Sequence, residues 1–201
     1  GNSVTNPGFS TDWYDQILRG AWYQSHGLSL SGGSDKMTYF LSGGYIEDQG
    51  IVIDNKFRRL NLRTNLDFKI NKMVKTGIIT NFSNINNKTV NLGTAYNNAY
   101  RAAPIIQAKE NGRYGNTSSY QNVGNPILDI ENNNARSYGN RIQATGYLEV
   151  KPLDWITLRS SMGGELVSYS DKNYNYRFLN DEVTFLTAGG NQLNPKSNLS
   201  V

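Results

Sequence analysis

The feature that most constrains the fold is an unbroken alternation of apolar and polar side chains from Leu60 to Ile70. Side chains of a β-strand point to opposite faces in turn, so this pattern predicts a strand with one apolar and one polar face. It extends over eleven residues, whereas strands of globular proteins commonly have about 5–6 residues and bilayer-crossing strands about 9–11. The pattern therefore indicates a membrane-spanning β-strand.

Further segments of the chain show the same period of two. They are Trp22–Gly32, Lys36–Ile46, Val74–Ile85, Tyr138–Lys151 and Ile156–Leu166. The connections between successive strands alternate strictly between short and long, as in outer-membrane barrels with tight periplasmic turns and long extracellular loops. The sequence therefore predicts an all-β fold, in which about six meandering antiparallel strands form a segment of a larger transmembrane β-barrel.

We expect residues 1–201 to form part of a single barrel domain. Residues 1–21 are an extracellular lead-in with a short helix over Phe9–Gly20 capped by Thr11, 22–166 hold the strands and loops, and 167–201 form an extracellular loop. The longest connection is expected to contain helical pieces at Gly93–Ala103 and Pro126–Glu131. Six strands are fewer than the roughly eight of the smallest membrane barrels. We therefore expect the remaining strands to lie outside this stretch.

The composition narrows the chemistry that the chain can perform. It has no cysteine and one histidine, His26, which excludes disulfides, zinc knuckles and thiol nucleophiles. No nucleophile elbow, zinc-protease motif or phosphate-binding loop is present, so we expect neither an enzyme nor a cofactor. The net charge is +4, but the cations are dispersed among acids and form no dense run, which argues against a nucleic-acid partner.

Several motifs, taken together in their order and spacing, carry a family resemblance. They are Thr11-Asp12-Trp13-Tyr14-Asp15, Leu28-Ser29-Leu30-Ser31-Gly32-Gly33, Tyr39-Phe40-Leu41-Ser42-Gly43-Gly44-Tyr45, Gln49-Gly50-Ile51, Arg59-Leu60-Asn61-Leu62-Arg63-Thr64-Asn65-Leu66-Asp67, Asn125-Pro126, Tyr147-Leu148-Glu149-Val150-Lys151-Pro152 and Leu158-Arg159-Ser160-Ser161. Over nearly its whole length the chain resembles the barrel of SusC-like (SusC/RagA family) TonB-dependent transporters of Bacteroidetes-type bacteria.

The resemblance implies a location and a set of partners. The family's barrel has about 22 strands around a plug, lies in the Gram-negative outer membrane, is capped by a SusD-like lipoprotein and imports glycans or peptides. Energy reaches it through the TonB complex, which contacts the plug region. That region has no counterpart in this sequence, so transport is expected of the whole assembly rather than of this stretch.

Two groups of side chains are candidate sites. A charged face is expected to point into the lumen, where it contacts plug and water; its members are Arg63, Asp67, Lys69, Arg141, Glu149, Arg159 and Glu165. Aromatic rings among amides suit sugar or peptide binding. Such rings lie in or beside the longest connection, at Tyr96, Tyr100, Tyr114, Tyr120 and Tyr138. The alternative is that these tyrosines only pack within the loop or contact the SusD-like lid lipoprotein.

Metal binding and other folds remain alternatives. Asp171, Asn173, Asn175 and Glu182 match ligand positions of a calcium loop, but Tyr176 stands where its turn glycine belongs, so an ordinary polar loop is the preferred interpretation. A siderophore receptor or porin would share the strand pattern. A soluble all-β carbohydrate-binding or adhesin module would also alternate with a period of two, although strand length and loop asymmetry argue against it.

Overall fold

A computed structural model describes residues 8–110, 112–117, 123–132, 135–174, 177–178, 185–186 and 191–200. The main sheet is formed by seven strands: β1 (Tyr23–Gly33), β2 (Met37–Gln49), β3 (Lys56–Lys69), β4 (Val74–Thr89), β7 (Ala135–Leu153), β8 (Ile156–Tyr174) and β11 (Asn191–Ser200). They pair in the order β1-β2-β3-β4-β7-β8-β11, and every pair is antiparallel. The predicted all-β antiparallel fold is confirmed.

Smaller elements lie in the connections. The helices are α1 (Trp13–Ile17), α2 (Leu92–Arg101) and α3 (Pro126–Asn132). Two short pairs are formed by β5 (Lys109–Glu110) with β6 (Arg113–Tyr114), and by β9 (Arg177–Phe178) with β10 (Phe185–Leu186). Among the described residues, none of the helices has the length and apolarity required to cross a membrane.

The register gives the main sheet one predominantly apolar face and one polar face. On the apolar face, Leu62 pairs with Phe82, Phe82 with Ile142, and Ile142 with Leu166, which forms an apolar row across four strands. These side chains are exposed or only half-buried, since the part of the chain that the structure describes places no second layer over them. A sheet in water would need such a layer, whereas a sheet in a bilayer has lipid in its place.

Most strands extend further than the alternation predicted, chiefly at the end that carries the long connections. β8 continues to Tyr174, and Asn191–Ser200 pairs with it as β11, although residues 167–201 were expected to form a loop. The reason is that outward positions such as Ser168 and Ser170 are polar there, so hydrophobic alternation stops while the backbone ladder continues. Antiparallel pairing needs only the backbone donors and acceptors.

Helix α1 is shorter than predicted and has a different cap. Asp12 Oδ1 accepts from the backbone N–H groups of Tyr14 (3.0 Å) and Asp15 (3.2 Å), whereas the Thr11 hydroxyl donates to the Ile106 carbonyl at 2.7 Å. The helix ends at Ile17 rather than near Gly20. It ends there because Leu18 forms a bridge with Val52, which draws the chain into extended structure.

Candidate functional site

The seven charged residues predicted to face the lumen share one face of the sheet, opposite the apolar row. They are Arg63, Asp67, Lys69, Arg141, Glu149, Arg159 and Glu165. Several form ion pairs there: Arg141 with Glu165, and Arg159 with Glu149 at 3.8 Å. The structure thus brings these residues together on one face.

A compact cluster on the polar face is centred on Tyr147. Its hydroxyl donates to Asp67 Oδ1 at 2.5 Å, and the Arg159 guanidinium lies 4.0 Å from the ring centroid. The ring lies across Gly77, where a β-carbon would come within 2.5 Å of ring atom Cε1. Gly77 therefore provides the space that lets a strand β7 tyrosine reach an aspartate on strand β3. No local sequence pattern indicates this contact, because the two residues are 80 positions apart.

A groove of about 440 Å³ runs beside this cluster on the central strands. Arg63 and Arg141 line it together with the amides of Asn61, Asn81 and Gln143. The groove presents hydrogen-bond donors and acceptors together with the Arg63 guanidinium and the Arg141 guanidinium, the latter paired with Glu165, which suits polar groups on another chain or on a solute.

At the long-connection end, the helices and loops form their own apolar core, here called the loop unit. Its buried members are Trp13, Ile17, Val52, Val90, Ala95, Ala99, Ala102, Tyr114, Ile127, Leu128 and Ile130. The Trp13 indole N–H donates to the Ala103 carbonyl at 3.1 Å, which ties α1 to the end of α2. The long connection is thus a packed structure that residues before β1 help to build.

Asn125 connects separate segments of the loop unit through its side-chain hydrogen bonds. Its Oδ1 caps α3 by accepting from Ile127 N (3.0 Å) and Leu128 N (3.3 Å). Its Nδ2 donates to the carbonyls of Ala108 and Gly115, each at 3.1 Å. Asn125 is 4% exposed, so these bonds satisfy groups that water does not reach. This gives a physical reason for the Asn125-Pro126 motif.

The structure separates the candidate tyrosines into different environments. Tyr100 is 81% exposed at the end of α2, and Tyr96 packs against the core of the loop unit, 6.2 Å from the Tyr14 ring. Tyr114 is buried, and its hydroxyl donates to Glu131. Tyr138 lies in β7 on the apolar-row face of the sheet, away from the other tyrosines, and Tyr120 is outside the described residues.

A cleft of about 650 Å³ lies on the loop unit between α1 and α3. The carboxylates of Asp12, Asp15 and Glu131 line it, and Lys109 faces Glu131 across a 2.8 Å ion pair. The sequence does not indicate this cleft, because its walls come from segments about 100 residues apart.

Burial changes the acidity of two groups in the loop unit. It raises the pKa of the Tyr114 hydroxyl above its ordinary value, and the Glu131 carboxylate that accepts from it raises the pKa further. Burial also raises the pKa of Asp129, while a hydrogen bond from the Asn98 amide, 2.5 Å from Oδ2, opposes that rise. Each group therefore keeps its proton up to a higher pH than it would in water.

The calcium-loop alternative conflicts with the backbone where it is described. Asp171 and Asn173 lie in the extended strand β8, paired with Asn194 and Gln192 of β11, whereas a calcium loop curls its ligands around one ion. The described residues contain no group of three acids or histidines positioned to hold a metal. Asn175 and Glu182 lie outside the described residues.

The geometry defines a class: a stretch of antiparallel β-barrel wall with a packed loop unit at one end. No family model matches the chain. It is 26% identical over 190 residues to the TonB-dependent receptor P26 of Formosa agariphila, covering 90% of this chain and 18% of the relative. It is 28% identical to the TonB-dependent receptor SusC of Bacteroides thetaiotaomicron, again covering 90% of this chain and 18% of the relative.

Solved structures agree with this class. The structure of the RagAB peptide transporter superimposes with a TM-score of 0.70 at 15% identity, covering 99% of this chain and 24% of that chain. The closed-closed state of the RagAB peptide importer gives a TM-score of 0.63 at 17% identity, covering 83% of this chain and 20% of that chain. The chain is therefore similar in sequence to a stretch of TonB-dependent receptors, SusC among them, and shares its fold with a part of RagAB.

Proposed function

We propose that this stretch is part of the wall of a TonB-dependent outer-membrane importer of glycans or peptides, acting with a SusD-like lid lipoprotein. The observation that carries the proposal is the two-faced sheet: an uncovered apolar row on one side and a charged face on the other. Lipid explains the first face, and a water-filled or plugged lumen explains the second. The protein is proposed to work by binding and transport rather than by catalysis.

The loop unit is proposed to lie outside the cell, where incoming solute meets the protein. All three short connections of the described sheet lie at one end of the strands, and the loop unit lies at the other. TonB would act through the plug region of the complete protein, on the periplasmic side. The lid lipoprotein would meet the loop unit from above.

Tyr100 is the tyrosine proposed to contact substrate. It is the most exposed of the candidates that the structure describes, at 81%, and it projects from α2, which the core of the loop unit fixes in place through Ala95 and Ala99. A flat ring on a rigid support stacks on a sugar ring or a peptide side chain with little ordering of the protein. Tyr114, being buried and bonded to Glu131, is proposed to support the loop unit instead.

The test uses the complete transporter in cells, with uptake of labelled oligosaccharides and oligopeptides as the readout. We expect energised uptake of one class and co-purification of a lipoprotein. Tyr100→Ala should raise the half-saturation concentration about 2- to 10-fold, the range of one aromatic contact. Leu92→Ala, at an exposed position of the same helix, is the matched control. If Tyr100→Ala and Leu92→Ala change the half-saturation concentration equally, the role of Tyr100 is contradicted. If the transporter takes up neither oligosaccharides nor oligopeptides, the proposed function is contradicted.

A further inference from the structure

The outward face of the sheet carries a row of four cations at the long-connection end. Lys56 pairs with Lys88, Lys88 with Arg136, and Arg136 with Lys172, so the four occupy directly opposed positions on β3, β4, β7 and β8. They share the face of the apolar row, since even-numbered positions of these strands all point that way. With strands about 4.8 Å apart, this cationic row is about 14 Å wide.

Such a row is unfavourable unless negative charge compensates it, because like charges directly opposite each other destabilise a strand pair. Two carboxylates compensate one half: Glu47 pairs with Lys56 and also with Arg58, and Asp54 pairs with Lys88 at 2.9 Å. At the other half, Arg136 and Lys172 are exposed and have no carboxylate partner among the described residues. The Lys172 ammonium lies 5.6 Å from the centroid of the Tyr138 ring, a cation–π contact that supplies no net negative charge.

The height of the row favours one source of negative charge. On the face of the apolar row, each cation lies four to six residues beyond the last aliphatic or phenylalanine side chain of its strand, for example Lys172 after Leu166 and Lys88 after Phe82. That corresponds to about 13–20 Å along the strand and about 9–14 Å in height at a 45° tilt. The polar headgroup layer adds only about 5–8 Å to each side of the hydrocarbon. A phosphate carried on a sugar headgroup reaches this level better than a glycerophospholipid phosphate.

We propose that the cationic row binds the phosphorylated sugar headgroup of an outer-leaflet glycolipid. The inference rests on the proposed membrane placement, which puts the apolar row in lipid, and goes beyond the transport function. Arg136 offers a planar fork of donors for phosphate, Lys172 a point charge, and Tyr138 and Asn140 extend the polar surface below them on β7. The glycolipid then supplies at β7 and β8 the negative charge that Glu47 and Asp54 supply at β3 and β4.

The experiment uses the complete transporter, purified in detergent and stripped of lipid. Thermal unfolding is followed while phosphorylated lipid A, the same lipid after phosphatase treatment, phosphatidylglycerol or inorganic phosphate is added. The variant Arg136→Gln/Lys172→Gln removes the uncompensated charges. The matched control is Lys69→Gln/Lys75→Gln. It removes two cations that lie opposite each other on β3 and β4, on the opposite face of the sheet and at the opposite strand end.

We expect phosphorylated lipid A to raise the melting temperature of the wild type and of the control. The Arg136→Gln/Lys172→Gln variant should lose about 30-fold in apparent affinity for that lipid. An equal loss in the control, or an equal response to the dephosphorylated lipid, to phosphatidylglycerol or to inorganic phosphate, would overturn the proposal. Unchanged uptake in the variant would leave the transport function standing, so the two proposals fail separately.

Discussion

Gly77 leaves the space into which the Tyr147 ring packs on the polar face. A β-carbon there would lie 2.5 Å from ring atom Cε1, 2.6 Å from Asp67 Oδ1 and 2.7 Å from the Leu66 carbonyl oxygen. The ring can rotate, but the carbonyl belongs to the backbone of the paired strand. This glycine is therefore required by packing.

Gly77→Ala should destabilise the folded barrel by roughly 1–3 kcal/mol, the usual range for overpacking. Urea unfolding of the complete protein in lipid measures the difference. Gly27→Ala, in β1, is the control, because nothing lies within 4 Å of a β-carbon at that position. If the two variants unfold at the same urea concentration, the Tyr147 ring is not seated on Gly77.

Asp129 makes the loop unit sensitive to pH. Because burial raises the pKa of this carboxyl in the folded state, the native loop unit binds a proton more readily than the unfolded chain does. Its stability should therefore be greatest in acid and fall as pH rises from the ordinary aspartate range through the raised value. Asp129→Asn, which can still accept from Asn98, should remove this fall.

Limited proteolysis of the loop unit in the complete protein, from about pH 4 to about pH 7, measures the effect. The wild type should become more susceptible across this interval after correction for protease activity, and the variant should not. Parallel curves for the two proteins would show that Asp129 is as acidic in the fold as in the unfolded chain.

At the scale of elements, the sequence predicted the strands best where the membrane constrains them. The start of β4 at Val74 and the start of β8 at Ile156 agree with prediction, because apolar alternation continues down to the short turns. The opposite strand ends were placed too early at Ile46, Ile85 and Leu166. Beyond the apolar row both faces meet polar surroundings, so the pattern no longer reports on the backbone.

Helix positions were predicted from caps and breakers, and their accuracy follows that chemistry. The predicted Gly93–Ala103 corresponds to Leu92–Arg101, where Asn91 caps the start by accepting from Thr94 N at 3.1 Å. The predicted Pro126–Glu131 corresponds to Pro126–Asn132. Helix α1 was predicted too long because its end is set by pairing of Leu18 with Val52, a contact that no local signal encodes.

Asn125→Asp should weaken the loop unit while keeping the cap on α3. The carboxylate can still accept from Ile127 N and Leu128 N, but it can no longer donate to Ala108 and Gly115. Each carbonyl keeps one backbone donor, Gly115 N for Ala108 and Thr117 N for Gly115, so the change removes two hydrogen bonds at about 0.5–1.5 kcal/mol each. Protease cleavage within 91–132 should rise markedly. The control is Asn91→Asp. Asn91 is an exposed cap, and only its Oδ1 bonds to the helix, so protease cleavage should change little in this variant.

At the scale of the whole molecule, the sequence predicted the barrel wall and the shared polar face but not the candidate contacts. Parity alone assigns Arg63, Asp67 and Arg159 to one face, because strand periodicity is fixed. It does not reveal that Tyr147 contacts both Asp67 and Arg159. It also does not reveal that Tyr138 lies on the apolar-row face of the sheet, whereas Tyr100 projects from α2. Those relations depend on register between distant strands, which the sequence pattern does not specify.

The comparisons bear on one stretch of a larger protein. The chain spans 18% of the length of the two curated relatives described above, and the fold likeness to RagAB covers 20% to 24% of those chains. The placement proposed above is that this sheet lies in the outer membrane with the loop unit outside the cell.

Cysteine labelling of intact cells tests this placement most directly, since the stretch itself has no cysteine. Asn97→Cys lies in the loop unit and Asp154→Cys in a short turn, and both positions are exposed. A membrane-impermeant maleimide should label Asn97→Cys in intact cells and Asp154→Cys only after the outer membrane is permeabilised. Equal labelling of both in intact cells, or labelling of Asp154→Cys alone, would contradict the account.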